Sequence, residues 1–489
     1  MFKQKRGKSM FTRNRNPIHA LVLACLFLTA CTLPAPGQPV AIISSPDVGA
    51  VGLNDPVYPQ MGNGGYDVTH YDIQLTVDMA SNTITATTTI QAQAVQALRT
   101  FHLDFRDLVI DELQVNGQPA SFSRNQSELT ITPNIALVSG AAFTTTVVYH
   151  GQPKPIINDP GALAYPAMIG WIKWRTGVFV DNRTSGAMTW YPVNNHPTDK
   201  ATYRFTITAP KPYVVAANGL LMDVRDGGDT RTYVWAENQP MASFVTTLAI
   251  APFEVITDAG PNGLPIRHYV SATAPAYIIK ELRETPAMIQ FLSDLLGAYP
   301  FEAYGVAVLD AYSYLNAGNQ TLSLEDMESM GTTGNLFADL ASQWLGNSVS
   351  VATWQDLWLR EGFSYYCWWL WVEHTKGERH FGAFLRGQYI QMQAKKMWPP
   401  AQPRMGYLFD WPVYTRAAWT LHALRLQIGD EAFFRLLRTW VERHQYGNAS
   451  TADFIALAEE VSGQTLDDLF QIWLYTDETP PMPELPLQE

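Results

Sequence analysis

The sequence predicts a multidomain β plus α protein, an amino-terminal β-sandwich followed by a mainly helical domain. Three observations carry that reading. The 489-residue chain is 47% hydrophobic and 12% aromatic, enough for more than one packed core and too long for a single ordinary one. From Tyr66 to about Val255, short runs rich in Val, Thr and Tyr alternate apolar and polar residues, as strands buried on one face do. From about Ala274 the apolar spacing becomes that of a helix.

Taken in order, residues 1–30 carry six basic side chains, no acidic one, and an apolar run from Ile18 to Leu28. That run is too short to span a bilayer, which takes ~20 helical residues, and reads as a signal peptide. It ends Leu28-Thr29-Ala30-Cys31, which is similar to the bacterial lipobox. Lipidation is therefore expected at Cys31, with the protein exported from a bacterial cytoplasm and lipid-anchored to the cell envelope on its extracytoplasmic side. Residues 31–58, rich in Pro, Gly and Ser without a period, read as a tether.

The β domain is placed at 59–256. Tyr71, Ile73, Leu75 and Val77 alternate with polar residues, Ile84, Ala86, Thr88 and Ile90 continue the pattern, and Asn116-Gly117 and Asn218-Gly219 give turn signals. The helical domain is placed at 257–478, on Ile278, Leu282, Met288, Leu292 and Leu295, and later on Phe433, Leu436 and Leu437. Helix starts are signalled by Ser450 with Asp453 and by Thr465 with Asp468. Residues 479–489 form a Pro-rich tail, and no long carboxy-terminal helical-repeat domain is expected.

The formal net charge of −12 falls to −18 once residues 1–30 are removed. So acidic a protein lacks the basic footprint of a nucleic-acid binder, and attachment to an anionic membrane has to be covalent. Of three cysteines, Cys25 leaves with the signal peptide and Cys31 is the lipidation site. Cys367, in an aromatic helical stretch, is expected to be a small buried apolar group with no disulfide partner.

Several segments carry a family resemblance. YDVTHYDIQLTVD, FHLDF from Phe101, WYPVNNHPTDKATYRFTITAP from Trp190 and PMASFVTTLAIAPFEV from Pro240 lie in the β part. QWLGNSVSVATWQDLWLREGFSYY from Gln343 and VYTRAAWTLHALR from Val413 lie in the helical part. Together they resemble the gluzincin zinc aminopeptidases, the family that includes membrane alanyl aminopeptidase and leukotriene A4 hydrolase. The resemblance implies a saddle-like β-sandwich followed by a thermolysin-like metallopeptidase domain. It establishes ancestry and fold, and activity has to be argued from the site.

In that family the chemistry rests on HExxH-x18-E: two histidines on one helical face and a distant glutamate hold zinc, and the inner glutamate activates the bound water. This sequence reads Ala338-Asp339-Leu340-Ala341-Ser342, with Glu361 at the family's spacing. Ala338 offers no donor atom and Ser342 a neutral hydroxyl, so no metal is expected here, although the family uses zinc. Asp339 stands at the general-base position, one methylene short. Tyr414 matches the tyrosine that stabilises the tetrahedral intermediate. Gly318, followed by Asn319, occupies the place of the glutamate that grips the substrate's amino terminus. No two of the ten histidines stand four apart, and His374 and His380 read as solvated. The acidic group Glu325, Asp326 and Glu328 likewise reads as a solvated face.

The expectation is a membrane-anchored, extracytoplasmic zinc-aminopeptidase homologue that is catalytically inactive: a pseudopeptidase serving as a peptide- or partner-binding or scaffold protein. With Ala338, Ser342 and Gly318 replacing larger side chains, the cleft is expected to have room for a peptide or protein ligand. The alternative is an active metallo-aminopeptidase that removes amino-terminal residues with an unorthodox metal site.

Overall fold

The structure is a computed structural model that describes residues 47–157, 168–175, 177–310, 316–327, 330, 334–395 and 397–483. The expected signal peptide, Cys31 and Glu328 lie outside these residues. Among the described residues, no helix is long and apolar enough to cross a membrane.

The alternation beginning at Tyr66 builds the centre of an eight-stranded sheet. Strand Tyr66–Asp78 pairs antiparallel with Thr83–Ala94 and parallel with Lys200–Pro210. Tyr71, Ile73, Leu75 and Val77 turn inward as expected, and Tyr71 stacks on Tyr203 with ring centroids 4.9 Å apart. A five-stranded sheet of Val214–Ala217, Leu248–Ala251, Gly177–Asp181, Met168–Trp174 and Ile156–Ile157, and a three-stranded one of Phe101–Asp104, Glu128–Thr132 and Ser121–Asn125, complete the β part. Asn116-Gly117 closes a hairpin at positive φ. Asn218-Gly219 does not: it carries the chain from Val214–Ala217 in one sheet to Leu220–Asp226 in another.

The helical part has its own mixed sheet, Phe253–Ala259, Pro265–Ser271, Gly305–Leu309, Leu322–Asp326 and Asn316–Ala317. Its first strand straddles the boundary read at 256/257. Around it pack α1 (Ala276–Leu282), α2 (Thr285–Leu296), α3 (Asn335–Ala341), α4 (Trp358–Lys376), α5 (Glu378–Gln393), α6 (Trp411–Ile428), α7 (Asp430–His444), α8 (Thr451–Ser462) and α9 (Asp467–Phe470). Ser450 and Asp453 form the expected capping box of α8. Thr465 does not cap α9, which begins after Leu466, whose N–H is taken by Glu459 Oε1 at 2.8 Å. Cys367 is a buried free thiol, as expected, and burial pushes it up to about 12.

Residues 47–58, expected to be tether, belong to the fold. Asp55 is 2% exposed; its carboxylate accepts from the N–H groups of Val57 (2.8 Å), Tyr58 (2.9 Å) and Trp354 (2.8 Å), joining this segment to the helical part. A second junction is Lys200, whose Nζ donates to the carbonyls of Asn347 (3.0 Å), Ser348 (3.0 Å) and Gly447 (3.3 Å). Burial brings its pKa down to about 7. Both junctions tie the β part to the loop between α3 and α4, and so position one wall of the cleft.

Candidate active-site cleft

A cavity of about 400 Å³ lies where the two parts meet. Gly318 and Asn319, Ala338 and Asp339 of α3, Ser342, Glu361 of α4 and Tyr414 of α6 all line it. The structure therefore gathers in one place every site position that the resemblance picked out inside the folded chain. Helical spacing brings Ala338 and Ser342 to the same side of α3, and α4 delivers Glu361 from its first turn.

Gly318 is the hub of the wall. Its carbonyl accepts from Ser342 Oγ (3.0 Å), Asn347 Nδ2 (2.8 Å) and Arg360 Nη2 (2.9 Å). A Cβ placed on Gly318 would lie 2.3 Å from Ser342 Oγ, 2.9 Å from Asp339 O and 3.0 Å from Asp339 Cα. The missing side chain thus adds no room to the cleft, contrary to expectation, because the residue after the edge strand lies against α3. Ser342 has one hydroxyl hydrogen and two carbonyls to receive it, Asp339 O at 2.7 Å and Gly318 O at 3.0 Å. Asn319 turns back on its own segment, donating from Nδ2 to Ala317 O at 3.3 Å.

Two carboxylates remain, and their surroundings differ. Glu361, 5% exposed, is ion-paired with Arg360 Nη1. Asp339 faces Glu325 from strand Leu322–Asp326, and neither Asp339 Oδ2 nor either Glu325 oxygen has a conventional donor. Two acceptor-only carboxylates have no hydrogen bond to make with each other unless one holds a proton. Burial first, and their mutual repulsion for Glu325, drive both pKa values up, so the pair keeps a proton well above the usual carboxylate range. Glu325 and Asp326 are therefore not the solvated face that was read from the sequence: both are fully buried.

Tyr414 reaches the cavity with Glu361, Arg183, Arg360 and Asp339 in electrostatic range, and burial, then Glu361, hold its phenol well above its ordinary pKa. It stays a protonated donor. Arg183, held bidentately by Asp181 (Nε to Oδ1 3.0 Å and Oδ2 3.1 Å), lines the opposite side. Sequence reasoning missed both arginines. Arg360 had a signal, a cation directly before Glu361, whereas Arg183 comes from a segment with no motif. His374 and His380 are exposed, as expected.

These residues do not fit zinc. Ala338 has no donor, Ser342 is a neutral hydroxyl engaged with backbone carbonyls, and Glu361 is already neutralised by a guanidinium. Among the described residues, no group of three or more His, Cys, Asp or Glu side chains is arranged to hold a metal ion.

Residues 68–245 match the Peptidase M1 N-terminal domain and residues 281–473 the Peptidase family M1 domain. The M1 zinc metallopeptidase of Deinococcus radiodurans superposes with a TM-score of 0.82 at 28% identity, covering 90% of this chain and all of that one. A mutant of that enzyme, solved with a Tyr-Ser-Ala substrate, superposes equally well, with a TM-score of 0.82. Aminopeptidase M1 of Arabidopsis thaliana is 21% identical over 82% of this chain and 49% of its own length. Aminopeptidase N of Streptomyces lividans is 26% identical over 57% of this chain and 36% of its own length. The chain thus spans about half or less of the curated relatives it matches.

Proposed function

This chain belongs to peptidase family M1, and on that premise we propose that it is a pseudopeptidase: an extracytoplasmic protein, lipid-anchored through Cys31, whose cleft binds a peptide or partner protein without cleaving it. The observation that carries the reading is the donor set of the cleft. At the positions where the resemblance places three zinc ligands, there is a methyl group, a hydroxyl engaged with carbonyls, and a carboxylate paired with Arg360. Asp339, at the general-base position, faces the buried Glu325 carboxyl, and burial drives its pKa up. Binding requires none of this chemistry. Tyr414 and Arg360 offer hydrogen-bond donors, and Phe244, Tyr365, Phe409 and Trp411 offer apolar walls, as a mostly apolar pocket with a few polar groups does for a peptide.

The test is the zinc content and aminopeptidase activity of the purified full-length chain after incubation with zinc and dialysis. Less than about a tenth of an equivalent, and no release of amino acids from peptides, is the expected result. A content near one equivalent with turnover would establish an active metallo-aminopeptidase with an unorthodox site.

A further inference from the structure

We infer that Arg360 is the resident counter-ion of Glu361 in the cleft, a guanidinium built in between the Glu361 carboxylate and the Gly318 carbonyl, and that it keeps divalent metal ions out. This rests on the metal-free reading above and explains how a buried carboxylate survives without a metal.

The arginine is held at its stem and at both terminal nitrogens, while its Nε is buried without a hydrogen-bond partner. Its stem passes over Gly346, where an added Cβ would come within 2.3 Å of Cγ and 2.8 Å of Cδ, so the loop after α3 leaves space for it. Its Nη1 pairs with Glu361, Nη2 donates to Gly318 O at 2.9 Å, and the guanidinium lies 5.9 Å from the centre of the Phe244 ring. The residue is 8% exposed. A buried carboxylate left unpaired is strongly unfavourable; here the neighbouring side chain supplies the counter-charge. A divalent ion would have to displace this guanidinium from Glu361 or bind against its fixed positive charge, either of which weakens binding by about a hundredfold or more. Restoring histidines alone is then insufficient to restore a zinc site.

Zinc binding is measured by dialysis and metal analysis on four full-length chains: the natural one, the natural one with Arg360→Met, the triple variant Ala338→His, Asp339→Glu and Ser342→His, and that triple with Arg360→Met added. The expected result is negligible zinc on the natural chain and at least about hundredfold tighter zinc on the quadruple variant than on the triple. Equal affinity in the triple and quadruple variants, including none in either, overturns the role of Arg360 and leaves the metal-free reading standing. A full equivalent on the natural chain overturns that reading instead. Should the quadruple variant not fold, Arg360→Ala is titrated with methylguanidinium. A rise in Tm of about 1–2 °C in that variant and none in the natural chain supports the inference, and no rise overturns it.

Discussion

Asp55 and Asp339 are both buried aspartates in this fold, and the protein holds them in opposite ways. At Asp55, burial favours the neutral form, but His196, whose Nε2 is 3.4 Å away, and the N–H groups of Tyr58, Trp354 and Val57 outweigh it and leave the pKa below its ordinary value. At Asp339 burial wins: it raises the pKa, and the facing Glu325 carboxyl offsets only part of it by hydrogen bonding. The first arrangement fastens the amino-terminal segment to the helical part. The second leaves polar atoms without donors on the wall of a cleft, where they add no rigidity.

The contrast is broken most forcefully at Asp55. Asp55→Ala orphans three backbone N–H groups and is expected to cost about 3–5 kcal/mol in urea unfolding of the full chain; a loss below about 1 kcal/mol would mean the junction is held by other contacts. Asp339→Asn is expected to act through pH. Because the folded-state pKa values of Asp339 and Glu325 are raised, the folded chain binds more protons than the unfolded one above about pH 4, and these groups weaken stability as pH rises. The variant should remove about 1–2 kcal/mol of the decline between about pH 5 and 8, read as a flatter Tm profile; an unchanged profile would rule out the shared proton. Asp55 contributes with the other sign, its stabilisation present above about pH 4 and lost on acidification. The smallest effect is at Asp453, an exposed capping-box residue of α8. Asp453→Ala should cost about 0.5–1 kcal/mol in the same assay, with no dependence on the cleft.

What could be read in the sequence follows from which faces are buried. Tyr66–Asp78 has one wet face, so its alternation was visible. Gly305–Leu309 and Leu322–Asp326 are buried on both faces, leave no alternation to see, and were missed; that is also why Glu325 and Asp326 passed for surface charges. Asp55 was read as tether because Pro and Gly around it resemble a linker, and only long-range partners such as Trp354 show otherwise. In the cleft, Ala338, Asp339, Ser342 and Glu361 were legible because the resemblance supplied the motif spacing that places them. Arg183 was not, since a strand-end residue reaches the cavity only through the tertiary fold.

The packing at Gly318 bears on which substitutions the cleft can accept. Histidines at positions 338 and 342 are two substitutions on α3, each compatible with a helix. Position 318 is different, because any side chain there meets the main chain of Asp339 as well as the hydroxyl of Ser342. An acidic side chain there requires the edge strand and α3 to separate. The contact thus separates two kinds of change at the cleft: a new side chain on α3 can be placed on the present backbone, whereas one at position 318 needs strand and helix to move apart.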